Sequence, residues 1–232
     1  MKKLVIACLV FVPLAGSFAQ EGRAPVLQGV SVCLGGAWSR YAELPDVISV
    51  PELRRVMGSR FGVVAGVLWE FRLGRRFLLD NGLQYARRGT AVDWNLMGQP
   101  LPLGTWDYRL DVIGNPITVR FKPWPRSSPY ILGGYELSLI VGHRLIDGWP
   151  AAELTETNIK GDTHDLDFGL IAGAGAEVPL GNWTMFSEGR YYHGLLDISK
   201  GTGALEPYPV IKSRSLMILA GVRFKLKAPK EP

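Results

Sequence analysis

The residues that could do chemistry most directly are a histidine and its neighbouring carboxylates. Asp162-Thr163-His164-Asp165 places an imidazole two positions from one carboxylate and beside another. An Asp/His pair can activate water as a general base, so the pattern raises the hypothesis of a peptide hydrolase. His164 is expected at the end of a loop, where a solvated histidine is the usual finding, and the sequence identifies no second carboxylate pair for it.

A second histidine, His193, suggests a different hydrolase. It could belong to a lipid-deacylating Ser/His/Glu set, but the nearby Ser187 is six residues away and no orienting acid can be named. A histidine among aromatic residues at a membrane interface is the alternative. No glycine-rich phosphate loop, paired Cys motif or His cluster with metal spacing is present in the sequence, so neither a cofactor nor a metal is expected.

The stretch Asp165–Ile198 predicts a β-hairpin with one apolar face, turning at Pro179–Asn182. Every second residue of its first half is apolar, whereas the intervening residues are glycines or carboxylates; the apolar set is Leu166, Phe168, Leu170, Ala172, Ala174, Ala176 and Val178. A strand has a side-chain period of two, so the two faces meet different environments. Glycines and isolated carboxylates on the polar face favour the narrow interior of a small membrane barrel over the solvated face of a sandwich.

The N-terminus is typical of an exported protein. A basic start, Met1–Lys3, precedes an apolar run, Leu4–Leu14, and small residues before Gln20. Residues 1–19 are therefore predicted to be a secretory signal peptide, cut after Ala19. The run is too short to span a bilayer, and no later stretch reaches the roughly 18 consecutive apolar residues of a transmembrane helix.

Composition limits the remaining classes of function. Removal of residues 1–19 leaves 24 basic and 21 acidic residues, and this net charge of +3 is too small to indicate a nucleic-acid partner. Cys33 would be the single remaining cysteine, so no intramolecular disulfide is expected. The mature length suits one domain, predicted over residues 20–226 and followed by a periplasmic tail, 227–232.

Alternating apolar residues predict eight strands. Their ranges are 26–39, 59–71, 77–90, 106–122, 129–142, the two arms of the hairpin, and 213–226. The connections alternate between long and short, the long ones being 40–58, 91–105, 143–164 and 199–212. Transmembrane barrels have long external loops and short periplasmic turns. We therefore predict an all-β fold, an eight-stranded antiparallel transmembrane β-barrel of up-and-down topology, with both termini in the periplasm.

Three local features accompany this prediction. Pro51 and the residues after it predict one helical turn in the first loop. In the fourth strand the apolar residues change phase, so we predict a β-bulge at Gly114-Asn115-Pro116. The tryptophans fall mostly near strand ends, as an aromatic belt requires, and Trp69, Trp124 and Trp183 would mark the periplasmic side.

The inward positions carry many charges for so narrow a lumen. They are Arg60, Glu70, Asp80, Arg88, Asp111, Arg120, Glu136, Asp167, Glu177, Glu188 and Arg190. The interior of an eight-stranded barrel is just filled by side chains, so these groups are expected to pair. The predicted result is an ion-pair network that plugs the lumen, with a proton path or a small-solute channel as the alternative.

Several segments resemble the PorT-like outer-membrane β-barrels. The likeness lies in the order and spacing of strand patterns and covers nearly all of the mature chain: Phe61–Phe71, Leu83–Gly89, the strand centred on Pro116, Pro129–Tyr135, Phe168–Gly175, Glu188–Leu195 and Gly221–Phe224. The family commonly has a glutamate where Gly82 stands. The resemblance implies an eight-stranded barrel in the cell outer membrane and, for the family's namesake, a role in type IX protein secretion.

The resulting expectation is a monomeric outer-membrane barrel without catalytic residues. It would act as a binding or assembly component, as an accessory of type IX secretion, with secretion components as partners. It would also contact outer-membrane lipid and, through Gly221-x-x-Phe224-x-Leu226, the barrel-insertion machinery. The alternative is an outer-membrane hydrolase, a protease or lipid deacylase, with its site at the extracellular mouth.

Overall fold

A computed structural model describes residues 26–42, 53–96, 102–124, 129–148, 155–205 and 210–226. The predicted signal peptide, 1–19, and the predicted tail, 227–232, lie outside these ranges. Both remain predictions.

Nine β-strands make up most of the described chain. They are β1 Val26–Ala42, β2 Leu53–Arg72, β3 Phe77–Leu96, β4 Pro102–Phe121, β5 Pro129–Gly148, β6 Thr155–Asn158, β7 Leu166–Leu180, β8 Trp183–Gly194 and β9 Lys212–Lys225. Two short 3₁₀ turns, Lys160–Asp162 and Gly203–Leu205, lie in the connections that precede β7 and β9. Within the described residues, no helix is long and apolar enough to span a membrane.

Eight of these strands close into a ring. Each pairs antiparallel with its neighbours, β5 pairs with β7, and β1 pairs with both β2 and β9. The predicted eight-stranded, antiparallel, up-and-down barrel is confirmed. The sequence did not indicate β6, which lies in the predicted loop 143–164 and pairs only with the far end of β5.

Five strands, β1 to β5, are longer than predicted. Strands β2 to β5 each have 20 residues, whereas a membrane crossing needs only about 9–11 residues in a tilted strand. Parts of the predicted loops 40–58, 91–105 and 143–164 are therefore strand, and they form a wall that extends past the ring on one side. The helical turn expected after Pro51 is wrong from Leu53 onward, because that segment pairs with β3.

The two ends of the barrel differ. The short connections between β2 and β3, β4 and β5, and β7 and β8 lie at one end, here named the turn end; the long connections lie at the opposite loop end. Because outer-membrane barrels place short turns in the periplasm, the turn end is the periplasmic end by this rule.

The outer surface is apolar along the strands of the opening hairpin. On β7 the predicted lipid-facing residues point outward, and Leu170 is 51% exposed. Trp69, Trp124 and Trp183 are exposed at the turn end. Other tryptophans depart from the predicted belt; Trp94 is buried inside the loop end and packs edge to face on Trp106, with ring centroids 5.0 Å apart.

Strand β4 keeps one phase along its length, so the bulge predicted at Gly114-Asn115-Pro116 is wrong. Its register with β3 is unchanged from Trp94↔Gly104 to Phe77↔Phe121. The register shift lies on the other side, against β5, between Asp111 and Val112, which pair with Gly142 and Ile140. The extra residue is therefore on β5. Because β4 keeps one phase, the apolar residues Tyr108, Leu110 and Val112 face the same side as Arg120, the lumen, where they are buried.

Candidate functional sites in the lumen and at its two ends

The lumen next to the turn end is filled by a cluster centred on Arg120. This fully buried arginine bonds to Asp80 through Nε and Nη2, to Glu70 through Nη2, and to Glu177 through Nη1 at 3.4 Å. Three strands thus supply carboxylates to one guanidinium, whose fork of donors suits several acceptors at once.

Two further cations balance these carboxylates. Arg223 of β9 lies 3.0 Å from Glu70 through Nε and 2.8 Å from Glu177 through Nη1, and Lys122 also pairs with Glu177. Neither cation was among the predicted lumen residues. Three cations therefore face three carboxylates, and the cluster is electrically neutral.

A second group lies deeper in the lumen. Arg88 Nη2 donates to Glu136 Oε1 at 2.5 Å, and Arg88 Nη1 lies 3.8 Å from Asp167. The guanidinium also stacks 3.9 Å from the ring centre of Tyr192, a cation–π contact that sequence reasoning did not identify.

Beside it, Arg190 and Glu188 of β8 pair with each other. Arg190 Nη2 lies 2.5 Å from Glu188 Oε2, and Tyr130 donates its hydroxyl to the other oxygen at 2.7 Å. Cys33, which was expected inside, is buried against Leu68 and Phe186. Side chains from every sector of the ring thus meet across the lumen at this level.

Two predicted lumen residues lie elsewhere. Arg60 stands next to a register shift between β2 and β3 and pairs with Asp107 of β4, away from the lumen clusters. Asp111 has the outward parity of β4 and bonds to Tyr85, Arg87 and Arg144 on the barrel surface. A register shift lies next to Arg60, and such shifts carry no alternation signal. Asp111 was predicted to face inward because its apolar neighbours on β4 suggest a lipid-facing set, whereas these neighbours face the lumen.

Near the loop end the lumen is apolar and covered. Ile159, Ile198, Leu205 and Ile211, from the connections that precede β7 and β9, are buried in the same cluster as the lumen residues of the loop end. These lumen residues include Tyr41, Val92, Trp94, Tyr108 and Leu110. The segments 159–165 and 195–211, here named the cap, therefore close this mouth as far as the structure describes them.

A buried histidine links the barrel wall to the cap. His143 of β5 hydrogen-bonds through Nε2 to the Tyr41 hydroxyl at 2.9 Å and through Nδ1 to Thr163 Oγ1 at 2.7 Å. Sequence reasoning missed it because His143 was placed at the start of a loop. With both ring nitrogens engaged and the side chain fully buried, His143 connects β1 and β5 to the cap.

The two histidines considered for catalysis lie in different surroundings. His164 is exposed, its backbone bonds to Ile198, and the neighbouring Asp165 accepts a bond from Lys160 at 2.6 Å. His193 is on the outer face next to Tyr191. Ser187 is on the same face of β8, and six residues along a strand separate it from His193 by about 20 Å, so the two cannot form a catalytic pair.

Metal chemistry has no candidate among the described residues. No group of three His, Cys, Asp or Glu side chains in that part of the chain is arranged to hold a metal ion.

The turn end holds an open depression of about 650 Å³. Its floor is formed by members of the Arg120 cluster, namely Glu70, Lys122, Glu177 and Arg223. Its rim is basic and includes Arg72, Arg75, Arg76 and Lys225. Because Arg223, Lys122 and their carboxylates are already paired, the charge left uncompensated within the described residues is that of the rim. This basic depression suits an acidic ligand or an acidic protein segment.

Comparison with known proteins identifies the class. The family described as an outer membrane protein beta-barrel domain matches residues 18–200. No curated protein matches the sequence.

Several solved structures are similar to this chain. Neisserial surface protein A is 18% identical, with a TM-score of 0.43 over 85% of this chain and 97% of that chain. Ail of Yersinia pestis, in complex with the heparin analogue sucrose octasulfate, is 14% identical, with a TM-score of 0.41 over 86% and 100%. The outer membrane protease OmpT of Escherichia coli is 9% identical, with a TM-score of 0.41 over 89% and 99%.

Proposed function

We propose that this chain, which belongs to the outer membrane protein beta-barrel domain family and resides in the outer membrane, is a non-enzymatic binding component that meets its partner at the turn end. The observation that carries the proposal is the filled lumen. Two buried ion-pair groups and the apolar cap occupy the path that a solute would need. A barrel closed in this way acts through its surfaces.

The basic depression is the surface best suited to a partner. Its rim residues Arg72, Arg75 and Lys225 are exposed, and they are held on short turns and strand ends rather than on long loops. A rigid, single-sign rim attracts an oppositely charged partner at long range and aligns it on contact. The partner is therefore a periplasmic protein that presents an acidic segment.

The finer assignment is an accessory role in type IX protein secretion. It is supported by the resemblance of the strand patterns to the PorT-like barrels, and it makes a secretion component the acidic partner. Catalysis receives no support from the geometry, because the histidines considered for it lack a nucleophile or carboxylate pair among the described residues.

The test reverses the charge of the rim. We expect Arg72→Glu/Arg75→Glu/Lys225→Glu to lower the yield of a site-specific crosslink from Gly74 to its partner in intact cells by about tenfold or more, because like charges across an interface cost several kcal/mol. Secretion by a deletion strain that carries this variant should fall in parallel. The matched control, Arg72→Lys/Arg75→Lys, keeps the charge and should retain both signals.

Two results would overturn the proposal. One is an unchanged crosslink in the charge-reversed variant, which would remove the basic rim from the interface. The other is stepwise ion conductance from the purified wild-type protein in planar bilayers, since that requires an open lumen. A charge-reversed variant that loses the crosslink but secretes normally would reject the type IX role alone.

A further inference from the structure

The outer face of the barrel carries a polar surface that the proposed function does not use. On β3 to β5, Arg87 Nε donates to Asp111 Oδ1 at 2.8 Å and Arg144 Nη2 donates to Asp111 Oδ2 at 3.1 Å. Tyr85 adds its hydroxyl to Asp111 Oδ1 at 2.5 Å. One carboxylate thus accepts hydrogen bonds from two arginines and a tyrosine.

The surface continues toward β2. Arg60 and Arg109 both pair with Asp107, the latter through Nε at 3.1 Å. Arg144 is bonded on its other side to Glu156, an exposed residue of β6, at 2.8 Å. We name the four arginines Arg60, Arg87, Arg109 and Arg144 the arginine patch; with Asp107, Asp111 and Glu156 it retains a positive charge.

The register places two of these arginines in direct opposition. Arg109 of β4 is the cross-strand partner of Arg144 of β5. Like charges directly opposite on neighbouring strands are destabilising, so this pairing favours an anion between them. A surface depression of about 470 Å³, lined by Tyr85, Arg87, Arg144 and Lys160 among others, lies beside the pair.

The patch begins where the apolar outer face ends. Leu83, Ile113 and Val141 are the exposed outward residues that precede it on the turn-end side of β3, β4 and β5, and Leu83 is 56% exposed. Beyond it the same strands continue into the wall that exceeds the length of a membrane crossing. The arginines therefore lie at the level of lipid head groups, where a charged side chain on the lipid face costs little.

We propose that the arginine patch docks the phosphate-bearing head group of an outer-leaflet lipid, with the acyl chains along Leu83, Ile113 and Val141. Guanidinium groups bind phosphate through two parallel hydrogen bonds, and the side chains of Arg87 and Arg144 are 35% and 39% exposed for that contact. The adjoining apolar residues select a lipid over free phosphate. This site is at the opposite end from the proposed partner surface and does not depend on it.

The experiment measures lipid retention by the folded barrel. The probes are dioleoyl phosphatidic acid and dioleoyl phosphatidylcholine, mixed equally in nanodiscs, and the lipids that remain bound after extraction into detergent are counted by native mass spectrometry. We expect wild-type protein to retain phosphatidic acid preferentially. Arg87→Gln/Arg144→Gln should reduce that preference about tenfold, the equivalent of 1.4 kcal/mol.

Control variants separate docking from a structural role. Lys200→Gln removes a positive charge from the cap, at the same end of the barrel but outside the patch, and should leave retention unchanged. Asp111→Asn removes the carboxylate that competes for Arg87 and Arg144, so phosphatidic acid retention should rise; a merely structural Asp111 would give a fall. All variants are first shown to fold by the shift of the unboiled band on a gel.

Three outcomes overturn the proposal. They are equal retention by the wild type and by Arg87→Gln/Arg144→Gln, a fall in retention with Asp111→Asn in a folded barrel, and displacement of phosphatidic acid by inorganic phosphate at an equal concentration. The last result would assign the arginines to a soluble anion instead of a lipid.

Discussion

Replacing Arg120 with methionine is expected to lower the free energy of unfolding by about 3–5 kcal/mol, because it leaves the buried Asp80 without a cation and gives the cluster one excess negative charge. Arg120 is fully buried and contacts Glu70, Asp80 and Glu177. Methionine can occupy much of the same volume, so the loss reports mainly on charge. The measurement is urea unfolding in lipid vesicles, followed by tryptophan fluorescence and by the shift of the folded band on an unboiled gel.

The control for this prediction is an arginine of the same end that makes no such cluster. Arg75 is exposed in the connection between β2 and β3, and Arg75→Met should leave the unfolding midpoint nearly unchanged. Asp80→Asn, combined with Arg120→Met, should restore part of the lost stability because it removes the carboxylate that has lost its cation. An Arg120→Met barrel as stable as the wild type would show that the cluster is dispensable for folding.

The sequence predicted the membrane part of the fold because lipid imposes a strict pattern. Every outward residue of β7 between Leu166 and Val178 must be apolar, and this requirement makes the alternation visible. The ends of β2 to β5 could not be predicted in the same way. Beyond the membrane the outer face of a strand meets water, so residues such as Asp93 and Arg144 interrupt the pattern and resemble a loop.

The facing of β4 shows why apolarity alone was misleading. Tyr108 and Leu110 are apolar because the cap covers them from inside the barrel, not because lipid covers them from outside. The residues that form the cap come from connections far along the chain, such as Ile159 and Ile198. A one-residue insertion on β5 reconciles the two strands, and a bulge of this kind has no periodic signature.

The lumen charges could be named from the sequence, but their partners could not. Arg88 and Glu136 are 48 residues apart, and Arg120 and Glu177 are 57 apart, so each pair depends on how several strands pair and curve rather than on local sequence. Gly82 illustrates the same limit. A Cβ there would lie 2.2 Å from the Val67 carbonyl oxygen and 2.6 Å from Leu68 Cδ2, so Leu68 fills the space that a glutamate would need.

Truncating Ile198 is expected to open the cap. Ile198 is fully buried in the cluster that joins the cap to the lumen wall, and Ile→Ala at such a site costs about 2–4 kcal/mol. If this free energy is lost entirely from the closed state of the cap, the population of molecules with an open cap rises roughly 30- to 700-fold. The measurement is trypsin cleavage of the folded barrel after Lys160 and Lys200, two lysines whose side chains are bonded within the cap.

Leu196→Ala provides the matched control, because Leu196 lies two residues away in the same segment and is exposed. Its cleavage rate should equal that of the wild type. Cleavage tracks the open population when closing is faster than proteolysis, so the rates are compared at low trypsin concentrations. Equal cleavage of Ile198→Ala and the wild type would mean that the cap is held by His143 and Thr163 rather than by apolar burial. In that case His143→Phe, which fills the site but cannot bond to Thr163 or Tyr41, should open the cap instead.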